Sequence, residues 1–251
     1  MFISSQDLKK IYQDDSVLIL DARSYKDYSK GHIPGSVSLD LFSFHWADTS
    51  QKGLVSFGEH MRKILSYAGI DENKKIIFYD HSSGMLAARG VWMCLYFSHP
   101  DVQMLDGGLS KWTKENLPTQ TESTIYKPTN LTTPINPSII IGFEELNENI
   151  GKVTIIDARS PDEFDGTMPR AARGGHIPTA KNIDWNNNLD DSGKLKSDSE
   201  LESLYTMDKE YPIVTYCQGA YRAANSYLSL KKIGFKNVKV YLGSWGEWGN
   251  N

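Results

Sequence analysis

The chain contains an internal duplication, and that duplication limits its architecture more than any other feature. Residues 18–34 read LILDARSYKDYSKGHIP and residues 154–178 read TIIDARSPDEFDGTMPRAARGGHIP. IIFYDHSSG at 76–84 is matched by IVTYCQGAYR at 213–222, and LDGGLSKW at 105–112 by YLGSWGEW at 241–248. Asp21, Tyr79 and Trp112 return as Asp157, Tyr216 and Trp248 at a near-constant separation of about 136 residues. Within 251 residues this implies two domains of ordinary size rather than one large one. The two copies differ where chemistry would be expected: Asp80 in the first stands where Cys217 stands in the second. One active half and one silent half follow, with Cys217 as the candidate nucleophile.

Short apolar runs closed by a polar residue alternate with segments of helical apolar spacing. Val17–Leu20, Ile76–Tyr79 and Val102–Leu105 read as buried strands, as do Val153–Ile156, Ile213–Tyr216 and Val238–Leu242. Residues 59–68, 85–97, 199–209 and 222–233 read as the helices between them. Strands alternating with helices of this length predict an α/β fold, each half a parallel sheet flanked by helices on both faces. The stretch 117–138 holds Pro118, Pro128, Pro134 and Pro137 and resists regular structure. The expected division is a domain at 1–118, a linker at 119–138 and a domain at 139–251. Residues 43–57 and 165–175 are expected as long loops near the site.

Composition removes several function classes. With 27 basic against 31 acidic side chains, the net charge of −4 argues against nucleic acid or an anionic membrane as partner. No apolar run reaches the ~20 residues of a membrane span, and MFISSQDLKK lacks a signal-peptide core. A cytoplasmic protein is the expectation. Two cysteines build no disulfide framework, and no Cys/His cluster has metal-ligand spacing, so neither metal nor cofactor is expected. Cys94, within GVWMCLYF, reads as a small buried hydrophobe.

Cys217 ends an apolar strand and is followed by Gln218, Gly219, Ala220, Tyr221 and Arg222, then by helix-forming residues. A strand–loop–helix unit puts the sulfur at the carboxyl edge of a parallel sheet, where open α/β folds bind ligands. Amides of a tight loop and a helix N-terminus favour an anion there, a thiolate or a persulfide. Arg222 is a candidate for holding an anionic sulfur donor. The first half offers Met85 or Leu86 at that place, so nucleophile and cation are absent together. By contrast, the DAR and GHIP motifs occur in both halves. Architectural roles are therefore expected for Asp21, Arg23, His32, Asp157, Arg159 and His176: an Asp–Arg pair pins a loop, and the His ring bonds to nearby backbone.

The two DAR–GHIP pairs, YD in the first half, YCQGAYR in the second and the closing GSWGEWGN resemble the tandem-domain rhodaneses across nearly the whole chain. The loop is most similar to that of bacterial thiosulfate sulfurtransferases with a Cys-Gln-x-x-x-Arg run. The resemblance implies two rhodanese-like domains, the second catalytic. It also implies transfer of a sulfane sulfur from thiosulfate to cyanide or another thiophilic acceptor through a Cys217 persulfide. Mercaptopyruvate enzymes of the family typically carry Cys-Gly-Ser-Gly and mammalian thiosulfate enzymes Cys-Arg-Lys-Gly, so 3-mercaptopyruvate stays open as the alternative donor. A family arginine six residues after the DAR-type aspartate falls here on Glu163, and its contact does not carry over. Arg170 and Arg173 are candidates for replacement charge. Small-molecule donors and acceptors are the implied partners, with a protein acceptor left open. Cysteine phosphatases and arsenate reductases place five residues between Cys and Arg. Here four intervene, which suits one sulfur better than a tetrahedral oxyanion. A non-catalytic sulfur carrier is the remaining alternative.

Overall fold

The computed structural model describes residues 1–251. The first half builds one five-stranded sheet from β1 (Phe2–Ile3), β2 (Val17–Asp21), β3 (Val37–Ser38), β4 (Lys75–Tyr79) and β5 (Val102–Leu105), in the order β1-β5-β4-β2-β3. Its helices are α1 (Ser5–Ile11), α2 (Tyr25–Tyr28), α3 (Gln51–Tyr67), α4 (Met85–Tyr96) and α5 (Gly108–Lys114). The second half repeats the plan with β6 (Ile140–Ile141), β7 (Thr154–Asp157), β8 (Lys181–Asn182), β9 (Ile213–Tyr216) and β10 (Val238–Tyr241), ordered β6-β10-β9-β7-β8. It carries α6 (Phe143–Glu148), α7 (Pro161–Asp165), α8 (Asp198–Leu204), α9 (Tyr221–Lys232) and α10 (Ser244–Trp248).

Every strand pairing is parallel. A parallel sheet covered on both faces needs strands apolar on both sides. The central strands meet this: β2, VLILD, and β9, IVTY, are buried at every position. The first core gathers Ile19, Ile77, Tyr79, Leu105 and Trp112; the second gathers Ile155, Val214, Tyr216, Tyr241 and Trp245. The chain forms two compact units. One holds Met1–Phe44, Gly58–Asn136 and Asp190–Leu195, the other His45–Phe57, Pro137–Leu189 and Lys196–Asn251. No helix is long and apolar enough to cross a membrane.

Two sequence expectations are adjusted. Residues 51–57, expected as loop, form the first turns of α3. Gly53 and Gly58 lower local helix propensity, but the burial of Phe57 and Met61 overrides them. Helix α8 stops at Leu204 rather than 209, because Tyr205 turns inward and donates to Asn188 Oδ1 at 2.7 Å. The two-residue edge strands and the shortest helices carry too few residues to show a period.

The repeated motifs share one structural job. Arg23 Nε and Nη2 grip the Asp21 carboxylate, and Nη2 also donates to the Gly31 carbonyl at 2.8 Å. Arg159 does the same with Asp157 and the Gly175 carbonyl, at 2.7 Å to the latter. His32 Nδ1 lies 2.8 Å from the Tyr28 carbonyl and His176 Nδ1 3.0 Å from that of Phe164, each ring stacked on the aromatic residue beside it. The last strand residue closes the frame: the Tyr79 hydroxyl accepts from Ile33 N–H and the Tyr216 hydroxyl from Ile177 N–H. The GHIP segment is thus fastened to the strand that ends at the site, in both halves.

Candidate active site

Cys217 is the first residue beyond β9, so its position follows from the strand's burial. Its residue is 1% exposed, and its thiol is free, as is that of Cys94. The turn that follows is tight: Ala220 adopts a left-handed φ of 67°, and α9 begins at Tyr221. A non-glycine residue there costs of order 1 kcal/mol and needs support from its surroundings. Helix α10 supplies that support. Ser244 Oγ accepts from Cys217 N–H at 3.2 Å and from Ala220 N–H at 3.1 Å, while donating to the Tyr241 carbonyl at 2.9 Å. The amides of Trp245 and Gly246 in turn donate to the carbonyls of Cys217 and Gln218, each at 2.9 Å. The Ala220 amide is therefore spent on Ser244, which removes it from the loop N–H groups between Gln218 and Arg222 that could cradle a persulfide.

Arg222 lies in the first turn of α9, close enough to Cys217 for the sulfur to help raise its pKa. Its guanidinium also forms a forked pair with Glu163, Nη1 to Oε2 at 2.5 Å and Nη2 to Oε1 at 2.9 Å. Burial works against the Arg222 charge, but the Glu163 hydrogen bond and the Cys217 sulfur outweigh it and raise its pKa. For Glu163 burial pushes the carboxyl up, and Arg222 more than reverses this, taking it to about 2. Glu163 is fixed from behind as well. Pro161 opens α7, and Ser160 and Glu163 form a capping box in which Ser160 N–H donates to Glu163 Oε2 at 3.2 Å.

The two loop arginines part company. Arg170 sits at the edge of this group: Nη1 is 3.5 Å from Glu163 Oε1, its carbonyl accepts from Gln218 Nε2 at 3.0 Å, and its side chain is 54% exposed. Arg173 points elsewhere, donating through Nη2 to the Trp248 carbonyl at 2.6 Å. It lines a separate open cavity of about 380 Å³ with Phe143, His176, Trp245 and Trp248. Trp245 and Trp248 belong to the core and give one side to that cavity. Tyr221 is buried against the ring of His45, centroids 5.0 Å apart.

Sequence reasoning missed four contributors. Ser244 holds two loop amides, and nothing in GSWGEW marks it. Glu163 was noted only as a lost contact. His45 closes over the loop so tightly that a Cβ on Gly219 would lie 2.5 Å from its Cδ2, which explains the glycine. Thr49 anchors the segment bearing His45: its N–H and Oγ1 donate to Glu247 at 2.8 and 2.5 Å, and its Oγ1 accepts from Phe143 N–H at 2.8 Å. The Thr49 contacts span about 94 to 198 residues and leave no local signal.

The loop after β4 shows what such a turn does with an oxygen anion's geometry. Asp80 Oδ1 accepts from the amides of Ser82 at 3.0 Å and Gly84 at 3.1 Å, and Oδ2 from those of Leu86 and Ala87, both at 3.1 Å. Burial raises the Asp80 pKa, and these four N–H bonds hold it back only in part. Met85 and Tyr221 each open their helix, so Leu86 corresponds to Arg222 and Ala87 to Ala223. No cation accompanies the carboxylate in that turn. Cys94 lies in α4, and burial drives its thiol strongly upward, leaving Cys217 as the one cysteine beside a positive charge.

Comparison with known proteins agrees with this layout. A profile of the Rhodanese-like domain matches residues 4–115 and again 143–251. The chain is 32% identical to the sulfur carrier protein TtuD of Thermus thermophilus, covering 100% of this chain and 94% of that one. It is 32% identical to a thiosulfate sulfurtransferase of Azotobacter vinelandii over the same shares of the two chains. Among solved structures, SseA from Escherichia coli, described with the 3-mercaptopyruvate sulfotransferases, superposes with a TM-score of 0.82 at 27% identity, over 97% of this chain and 98% of its own.

Proposed function

We propose, for a chain that belongs to the rhodanese-like domain family and carries that domain twice, a double-displacement sulfur transfer run by Cys217. The protein is a sulfurtransferase, and thiosulfate is the donor we assign, in keeping with its Azotobacter relative. The Cys217 thiolate attacks the outer sulfur of thiosulfate, the S–S bond breaks, and sulfite leaves with the bonding pair. The persulfide so formed is held by the amides at the start of α9 and by Arg222. A thiophilic acceptor then attacks the outer sulfur, and the pair left behind restores the thiolate. Covalent catalysis of this kind predicts ping-pong kinetics.

One observation carries the reading: the sulfur sits beside Arg222 at a helix N-terminus. The corresponding turn of the other repeat aims four amides at the Asp80 carboxyl, which offset part of the burial that raises its pKa. An N-terminal turn of this type favours negative charge. Arg222 adds what the first turn lacks. We assign residues 1–118 as the silent repeat, 119–138 as the connector and 139–251 as the catalytic repeat. Both thiols are free, as expected in the reducing cytoplasm, where we place its work. Replacing Cys217 with Ser tests the reading: transfer from thiosulfate to cyanide should vanish while the fold persists, and retained transfer would reject it.

A second reading has its own support, since the relative from Thermus thermophilus is a sulfur carrier protein. In that reading Cys217 is loaded once and hands its sulfur to a protein. Multiple turnovers per Cys217 with thiosulfate and cyanide select the enzyme; stoichiometric loading without turnover selects the carrier.

A further inference from the structure

We propose that Glu163 sets donor selectivity: by occupying the Arg222 fork it tempers the positive charge beside Cys217, weakening capture of doubly charged donors relative to singly charged ones. This rests on the assignment of Cys217 and Arg222 as the transferring pair. The geometry supports it in three ways. First, both terminal nitrogens of Arg222 face the two Glu163 oxygens, so the fork is not open for bidentate capture of a donor. Second, Glu163 is only 4% exposed and stays ionised down to a pH of about 2, so its charge is fixed at every working pH. Third, its backbone is built to hold it there, through Pro161, the capping box with Ser160 and a left-handed Gly166 that ends α7.

The charges gathered on Glu163 then come to two cations and one anion, with Arg170 at the solvent side. An Arg222 standing alone would attract a dianion such as thiosulfate far more strongly than a monocarboxylate. With Glu163 in place that advantage shrinks, because each added negative charge on the donor also meets the carboxylate. Glu163 is thus a positioning residue for Arg222 and a selectivity residue for the donor.

The test compares steady-state kinetics of the full chain with thiosulfate and with 3-mercaptopyruvate, cyanide as acceptor. In Glu163→Gln the KM for thiosulfate should fall by about five- to tenfold, while that for 3-mercaptopyruvate falls by no more than about twofold. Glu163→Asp, which restores the charge, should return the KM ratio toward wild type. A thiosulfate KM that is unchanged or raised in folded Glu163→Gln, or equal shifts for both donors, overturns the proposal. If Glu163→Gln does not fold, the exposed Arg170→Gln decides. Removing that cation should raise the thiosulfate KM by about two- to threefold and the other by less; equal or absent shifts overturn the proposal. Wild-type protein that takes sulfur from neither donor overturns the transfer reading itself, an outcome distinct from wild-type transfer with an unaltered KM ratio.

Discussion

The turns after β4 and β9 leave equivalent strands, open equivalent helices and share a tyrosine that fastens GHIP, yet they treat charge differently. After β4 a carboxylate takes four amides, so the turn satisfies itself with its own side chain. After β9 a sulfur replaces the carboxylate, Ser244 takes up the Cys217 and Ala220 amides, and Arg222 brings a cation. The first arrangement is closed, because every acceptor is already internal. The second leaves a polarisable atom beside a positive charge. The same backbone thus holds a self-satisfied carboxyl in one half and, in the reading proposed here, the transferring sulfur in the other, and the difference lies in a few side chains.

The sharpest way to break that contrast is Cys217→Ser. It should lower kcat by at least about 10³-fold and leave the circular dichroism spectrum unchanged. Next comes Arg222→Ala, expected to cut kcat/KM for thiosulfate by about 10²-fold, roughly 2.7 kcal/mol; an unchanged value would make the cation irrelevant. Asp80→Ala probes the silent turn. Leaving four buried or partly buried amides without an acceptor should cost about 2–4 kcal/mol in denaturant unfolding, with turnover within about twofold of wild type. Gly219→Ala should push His45 off the loop and lower kcat/KM by about three- to tenfold.

The smallest effect is a tilt of the stability curve with pH. Glu163 is depressed from 4.5 to about 2, so its contribution is complete above the unfolded value and lost as pH falls through about 2. Glu163→Gln should flatten that acid loss by roughly 2 kcal/mol between pH 5 and 2. Asp80 is raised from 3.8, so its contribution is complete below that value and lost as pH rises through its folded value. Asp80→Asn should therefore steepen the acid loss. Chemical denaturation across that pH range checks both signs.

What the sequence revealed followed from period and repetition. Six central strands and four helices stood out because buried parallel strands are continuously apolar. The architectural standing of DAR and GHIP was legible because both halves keep them, and the Asp–Arg and His–carbonyl bonds have that character. Cys217 and Arg222 stood out as candidates from their joint absence in the first half. The partners of that pair were not. Glu163 lies about 59 residues from Arg222, Ser244 about 27 from Cys217, and Thr49 about 198 from Glu247. Contacts of this reach are decided by folding topology, which local spacing does not encode. The capture of the Cys217 and Ala220 amides by Ser244 was hidden for the same reason, since Ser244 arrives from α10.

The most direct test of the central claim is the intact mass of the protein before thiosulfate, after it, and after cyanide, with peptide mapping of both cysteines. The account predicts the gain of one sulfur atom on Cys217, its loss to cyanide, and no change at Cys94 or in the Cys217→Ser variant. No gain, or a gain that maps to Cys94, would contradict it.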